Sequence, residues 1–128
     1  LSPAMGGIII GYEVGRLLEK ETIFCERVKG KFQLRRGFII KKNARVVIVE
    51  DVITTGKSSL ECAKLIKKSK AKLLGFASII DRSSKKNLLI KKKIISHIKI
   101  QVPTFNKKNL PKHLKFKPIS YPGSRFVK

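Results

Sequence analysis

Tryptophan is absent, methionine occurs once and tyrosine twice, so little is available for a platform that stacks nucleic acid bases. The two cysteines, Cys25 and Cys62, fall in a strand-like and a helix-like segment without metal-ligand spacing. That excludes a disulfide framework or a zinc site and leaves two reduced thiols. No apolar run approaches the length of a membrane-spanning helix and the N-terminus is not a signal peptide, so a cytoplasmic protein without membrane contact is expected. Acidic residues are scarce too, 8 against 30 Lys and Arg, for a formal net charge of +22.

A surplus of that size ordinarily points to nucleic acid or an anionic surface. Here lysine dominates arginine, is scattered through predicted helices and turns, and accompanies abundant isoleucine. The pattern fits a biased coding composition that fills neutral surface positions with solvated lysine, and nucleic acid is not the expected partner. The field should nevertheless speed capture of a highly anionic substrate and make that capture salt-sensitive. The 128 residues, 42% of them hydrophobic, suffice for one domain spanning residues 1–128 with a real core.

Residues 46–59 hold the most informative pattern. Val46, Val47, Ile48 and Val49 form a β-branched run too short for a helix and apolar on both faces, as in a strand buried inside a parallel sheet. Glu50 and Asp51 stand where that strand should end, the place where open α/β sheets gather ligands. Two neighbouring carboxylates there can accept hydrogen bonds from adjacent sugar hydroxyls. Thr54, Thr55, Gly56, Lys57 and Ser58 then supply hydroxyls, a flexible glycine and free backbone N–H groups at a helix start, the makings of a monophosphate site. A Walker A loop also ends in Gly-Lys-Ser, but Asp51 occupies the position of its first glycine and would repel a triphosphate. A plain N-capped helix, with Thr55 or Ser58 as cap and Glu61 completing a capping box with Ser58, leaves the paired acids unexplained.

Elsewhere, residues 6–20 read as a helix with Gly11 and Gly15 permitting close packing on a sheet. Residues 22–25 read as a short strand, and residues 27–36, basic and flanked by Phe32 and Phe38, as an exposed hairpin or mobile loop. Strands are predicted over residues 46–50, 73–80 and 94–102, the last ended by Pro103, and a helix over 58–69. Alternating strands and helices imply an α/β fold with a doubly wound, mainly parallel sheet, followed by an irregular tail over residues 104–128. His97 reads as a satisfied strand histidine and His113 as a surface one.

The hydrophobic run, two acids, two apolar residues and threonine- and glycine-rich turn resemble the substrate motif of type I phosphoribosyltransferases. Ser2-Pro3-Ala4-Met5-Gly6-Gly7, Glu26-Arg27 with Leu34-Arg35-Arg36-Gly37-Phe38, Ile80-Asp81-Arg82-Ser83 and Pro122-Gly123-Ser124-Arg125 resemble the orotate-specific members of that family. The resemblance implies the type I fold with a basic catalytic hairpin, and transfer of a phosphoribosyl group from phosphoribosyl pyrophosphate to orotate. It assigns Glu50 and Asp51 to the ribose hydroxyls, and Thr54, Thr55, Gly56, Lys57 and Ser58 to the 5′-phosphate. Ala4, Met5, Gly6 and Gly7 match the pyrophosphate loop, where many relatives carry a lysine at the place of Gly6; a glycine-rich helix start is the plainer reading. Thr54 and Arg82 match orotate-binding positions, the alternative for Asp81-Arg82 being a structural salt bridge. Arg27 and Lys31, with Lys29, Arg35 and Arg36, match the catalytic loop, although Val28 replaces a second cation and no histidine appears; without the resemblance they would be a solvated basic hairpin. Asp51, Arg27 and Lys31 are thus the catalytic candidates. Magnesium held mainly through substrate and water, and a homodimer sharing the loop across subunits, are further implications, as is an N-terminal strand and hood absent from this chain. A purine-specific relative and a regulatory RNA-binding member of the fold are the alternatives.

Overall fold

The computed structural model describes residues 1–84, 88–103, 105–106 and 109–118. Pro122-Gly123-Ser124-Arg125 and most of the tail therefore lie outside the described residues. Among the described residues six strands and two α-helices follow in the order β1 (Ser2–Pro3), α1 (Gly7–Leu18), β2 (Phe24–Val28), β3 (Lys31–Leu34), β4 (Arg45–Ile53), α2 (Lys57–Lys68), β5 (Lys72–Asp81) and β6 (Ile94–Lys99), so strict alternation holds only for β1-α1-β2 and β4-α2-β5. A 3-10 turn, Lys112–Leu114, follows. No described helix is long and apolar enough to cross a membrane.

The strands form two three-stranded sheets, ordered β1-β2-β3 and β4-β5-β6. Leu1 stitches them together. Its backbone nitrogen donates to Val47 O at 2.9 Å and its carbonyl accepts from Val49 N at 3.0 Å, the spacing of a parallel bridge. Ser2 N and Ala4 N then donate to Ile23 O and Cys25 O on the other side, at 3.0 and 2.8 Å. The composite order is β3-β2-β1-β4-β5-β6, with β1, β2, β4, β5 and β6 parallel and β3 antiparallel to β2. The carboxyl ends of the parallel strands consequently share one edge.

The acid-bearing strand is longer than its apolar run suggests. Pairing with β5 continues through Glu50 and Val52 to Ile53, which faces Asp81, so the acids lie inside the ladder. Val47 is 38% exposed whereas Ile48 and Val49 are buried, so the run is not covered on both faces throughout. The short strand expected over residues 22–25 lies later, at Phe24–Val28, because it pairs with Lys31–Leu34 in a hairpin registered from Cys25↔Leu34 to Val28↔Lys31. Its turn is Lys29-Gly30, both at positive φ (47° and 78°), which matches the twist of a tight hairpin. β6 stops at Lys99, three residues before the predicted end. His97 lies on this strand as expected and is exposed; His113 is at the surface as expected.

α2 covers one face of the sheet, and between them Ile48, Ile53, Ile66 and Phe76 are buried with Leu1, Ile90 and both cysteines. The Cys25 and Cys62 sulfurs are 3.2 Å apart and both are free thiols; contact with Cys25 and then burial push the Cys62 thiol well above its ordinary pKa. On α1, Gly7, Gly11 and Gly15 form the buried stripe. An added Cβ at Gly7 would stand 2.9 Å from Val49 O, and one at Gly11 would fall on the Ser2 hydroxyl, 3.0 Å from Ser2 Cβ. The helix backbone therefore approaches the sheet closely, against Val49 O at Gly7 and the Ser2 side chain at Gly11, as the Gly11 and Gly15 spacing predicts. The Gly11→Ala variant should be destabilised in urea unfolding, because overpacking of about 1–3 kcal/mol against Ser2 exceeds a helix-propensity gain of about 1 kcal/mol. An unchanged midpoint would show that α1 can move off the sheet freely.

Candidate functional site

Each parallel strand delivers its next residues to the same edge. The turn after β1 is Ala4-Met5-Gly6-Gly7, with a cis peptide bond between Ala4 and Met5 and Ile8 N donating to Met5 O at 3.1 Å. Beyond β4 come Thr54, Thr55, Gly56, Lys57 and Ser58, which with Glu50, Val52 and Ile53 line a cleft of about 40 Å³. Arg82 follows β5, its backbone nitrogen donating to Ile53 O at 2.8 Å, and its side chain is exposed.

Neither Thr55 nor Ser58 stands at the helix N-cap. Gly56 does, at φ 76°, a conformation that favours glycine. A Cβ there would also stand 2.5 Å from Ile90 Cγ1, so close packing and backbone conformation both demand glycine. Thr55 Oγ1 instead accepts from Lys57 N at 3.3 Å, and Leu89 N donates to Thr55 O at 2.9 Å. The turn is thus pinned from the far side by Leu89 and Ile90, which belong to no motif legible in the sequence. Glu61 does not complete a capping box; its carboxylate lies 2.6 Å from Arg27 Nη2. The first turn of α2 carries no acid, so no carboxylate of the helix's own first turn repels an anion approaching the positive end of its dipole.

Adjacent residues of a strand point to opposite faces, and this separates the two acids. Asp51 lies against the glycine loop: a Cβ on Gly6 would stand 2.6 Å from its Cγ. Glycine at that position is what lets the carboxylate approach the loop backbone. Glu50 points to the α2 side, is 7% exposed, and accepts a hydrogen bond from the Ser59 hydroxyl. The acids therefore do not present one side-by-side pair, although Glu50 still lines the cleft.

The basic hairpin is tied to acids. Arg27, besides Glu61, donates to Gly30 O at 2.6 Å and lies 4.1 Å over the Phe32 ring. Arg36 forms a two-pronged pair with Glu26 at 3.0 and 2.9 Å, and Arg35 lies 4.0 Å from the same carboxylate. Lys29 and Lys31 are exposed at the turn. The structure thus brings the glycine loop, Asp51, the cleft residues and Arg82 to one edge, and holds Arg27, Arg35 and Arg36 on protein carboxylates.

Asp81 closes β5 and is 4% exposed. Burial pushes its pKa up, but the Ser83 hydroxyl and backbone, with Lys99, outweigh that and hold it below 3.8; Ser83 N donates at 2.8 Å and Lys99 Nζ lies 3.6 Å away. A depressed carboxylate pKa stabilises the fold above the unfolded value and loses that contribution as pH falls through the folded one. Asp81→Asn should therefore lower stability near neutral pH by about 1 kcal/mol, with the gap to wild type closing as urea midpoints are followed below pH 4. A gap independent of pH would remove the ionised Asp81 as its cause.

Residues 1–116 match the phosphoribosyl transferase domain family. Over 127 residues the chain is 46% identical to an orotate phosphoribosyltransferase of Parvibaculum lavamentivorans, covering 99% of this chain and 65% of that protein. A second, from Sphingopyxis alaskensis, is 42% identical with the same coverage. The chain thus spans about 65% of the length of the curated relatives it matches. Among solved structures, adenine phosphoribosyltransferase from Thermoanaerobacter pseudethanolicus aligns with a TM-score of 0.65 at 20% identity, over 77% of this chain and 67% of that one. Orotate phosphoribosyltransferase from Aeropyrum pernix gives 0.60 at 20% identity, over 77% and 58%. At such identities the likeness is one of fold.

Proposed function

The chain belongs to the phosphoribosyl transferase domain family, and from that premise we propose that it is the catalytic core of an orotate phosphoribosyltransferase. The reaction would move the 5-phosphoribosyl group from phosphoribosyl pyrophosphate to a ring nitrogen of orotate, releasing pyrophosphate. The observation that carries this reading is the convergence of the Ala4–Gly7 turn, Asp51, the residue 54–58 turn and Arg82 at one sheet edge. The choice of orotate over a purine is supported by the 42–46% identity to relatives named for orotate.

In this reading the N-terminus of α2, with Thr54, Thr55, Gly56, Lys57 and Ser58, holds the 5′-phosphate. Asp51 and Glu50 accept from the ribose hydroxyls, approaching from opposite sides of β4. Ala4, Met5, Gly6 and Gly7 receive the pyrophosphate, and Arg82 offers a planar, permanently charged guanidinium to the orotate carboxylate beside Thr54. Breaking the bond from C1 to pyrophosphate develops positive charge on the sugar and negative charge on the leaving group, so positioning and electrostatics do most of the work. Arg27 and Lys31 are the cations for the leaving group, and Arg27 must exchange Glu61 for pyrophosphate to serve there.

Among the described residues no three His, Cys, Asp or Glu side chains converge on one point. Magnesium belongs to this reading as an ion held through water and substrate oxygens rather than by a protein cage, and it would neutralise pyrophosphate charge. A cytoplasmic homodimer belongs to the same proposal; Ile9, Tyr12 and Leu17 on α1, 81, 62 and 67% exposed, offer an apolar face for a second subunit.

The test is loss of orotate absorbance in the full-length protein on adding phosphoribosyl pyrophosphate and magnesium, beside Asp51→Asn. The variant is expected to lose on the order of 100-fold in kcat/KM. Consumption of a purine base with orotate untouched would overturn the substrate, and an unaffected variant would overturn the role of Asp51.

A further inference from the structure

We infer that Ser59 is a positioning residue that locks the ribose-binding acid and the phosphate turn into one frame by holding Glu50. This rests on the proposed reading of the cleft. Ser59 is the third residue of α2 and its side chain is fully buried, at 0% exposure. Its hydroxyl donates to Glu50 Oε1. Residues 54–58 line the cleft with Glu50, whereas Ser59 does not, so Ser59 acts on a ligand only through its partner.

The placement follows from the chain path. Strand alternation sends Glu50 to the α2 side, where Cys25 and Cys62, both 0% exposed, lie close by. A carboxylate enclosed in that way needs donors. The phosphate turn carries the chain back so that the first turn of α2 stands over the end of β4, and there Ser59 supplies a donor. The bond spans nine positions and encloses residues 51–58, which include Asp51 and every 5′-phosphate candidate. It therefore fixes how far the acid on the strand stands from the turn at the helix start, the separation that a ribose 5-phosphate unit must match. The pyrophosphate loop, after β1, lies outside the closure.

Binding of phosphoribosyl pyrophosphate and of inorganic pyrophosphate, each with magnesium, is measured by calorimetry on full-length wild type, Ser59→Ala, Glu50→Gln and the double variant, with orotate turnover alongside. Ser59→Ala should weaken phosphoribosyl pyrophosphate binding about tenfold, the value of a hydrogen bond to a charged group. Pyrophosphate binding should change less than about twofold, and the loss should vanish in the Glu50→Gln background, where the partner is already altered. Ser59→Cys, of similar volume but a poor donor, gives the same readout should the alanine variant fold poorly, and Ser59→Thr should keep most of the affinity. An equal loss for both ligands, or a loss that persists beside Glu50→Gln, overturns the inference in favour of general loosening, and so does unchanged binding. Wild type that binds phosphoribosyl pyrophosphate but leaves orotate intact defeats only the orotate assignment, and wild type that fails to bind it defeats both.

Discussion

Two backbone hydrogen bonds between Leu1 and β4, Leu1 N to Val47 O and Val49 N to Leu1 O, make one sheet out of two. Without them the glycine loop would hang from β1 and β2 while the acids and the phosphate turn belonged to β4, β5 and α2. The bond pair sets register as well as proximity. With Leu1 bridged beside Ile48, the turn at residues 4–7 rises to the level of Asp51, and Gly6 meets that carboxylate. A shift of one residue would exchange the faces of every side chain along the strand. The buried glycine stripe of α1 secures the same register from the other side, since Gly7 lies under Val49 and Gly11 under Ser2.

Much of this was legible beforehand, because the informative signals are local. The β-branched run, the acid pair and the Thr-Thr-Gly turn mark strand, strand end and helix start within fourteen positions, and the Gly11 and Gly15 spacing implies close packing. What was not legible depends on partners distant in sequence. Whether the strand stops at the acids or runs through them depends on β5, whose residues Ser78, Ile80 and Asp81 keep pairing. Two neighbouring acids look like a pair in a sequence; only the continuing ladder sends them to opposite faces. Glu61 reads as a capping-box residue until tertiary packing supplies Arg27 as its partner, and Ser59 has no reading of its own until Glu50 meets it. The same applies to Ile90, which explains the glycine at 56 from a segment with no motif of its own.

The charge distribution separates two kinds of cation. Of 30 Lys and Arg in the chain, the arginines of the hairpin sit on Glu26 and Glu61, whereas Asp81 faces a lysine, Lys99. Planar guanidinium matches carboxylate in two-pronged fashion, and Arg36 with Glu26 does so. Partly exposed pairs of this kind contribute little to stability, which leaves them exchangeable for a more highly charged partner. The lysines act chiefly through the long-range field, whose reach shrinks to about 8 Å at physiological ionic strength.

The phosphate turn lies wholly within the β4-α2-β5 unit, whose paired strands are 27 positions apart at Arg45 and Lys72. The Leu1 joint, by contrast, closes over 46 positions. Closing the shorter loop sacrifices less chain entropy, and contacts nearer in sequence form sooner. Order of assembly therefore separates the anion seat from the rest of the edge: the seat needs the crossover unit and Leu89 and Ile90 just beyond it, whereas the glycine loop reaches Asp51 only after Leu1 has found the middle of the sheet.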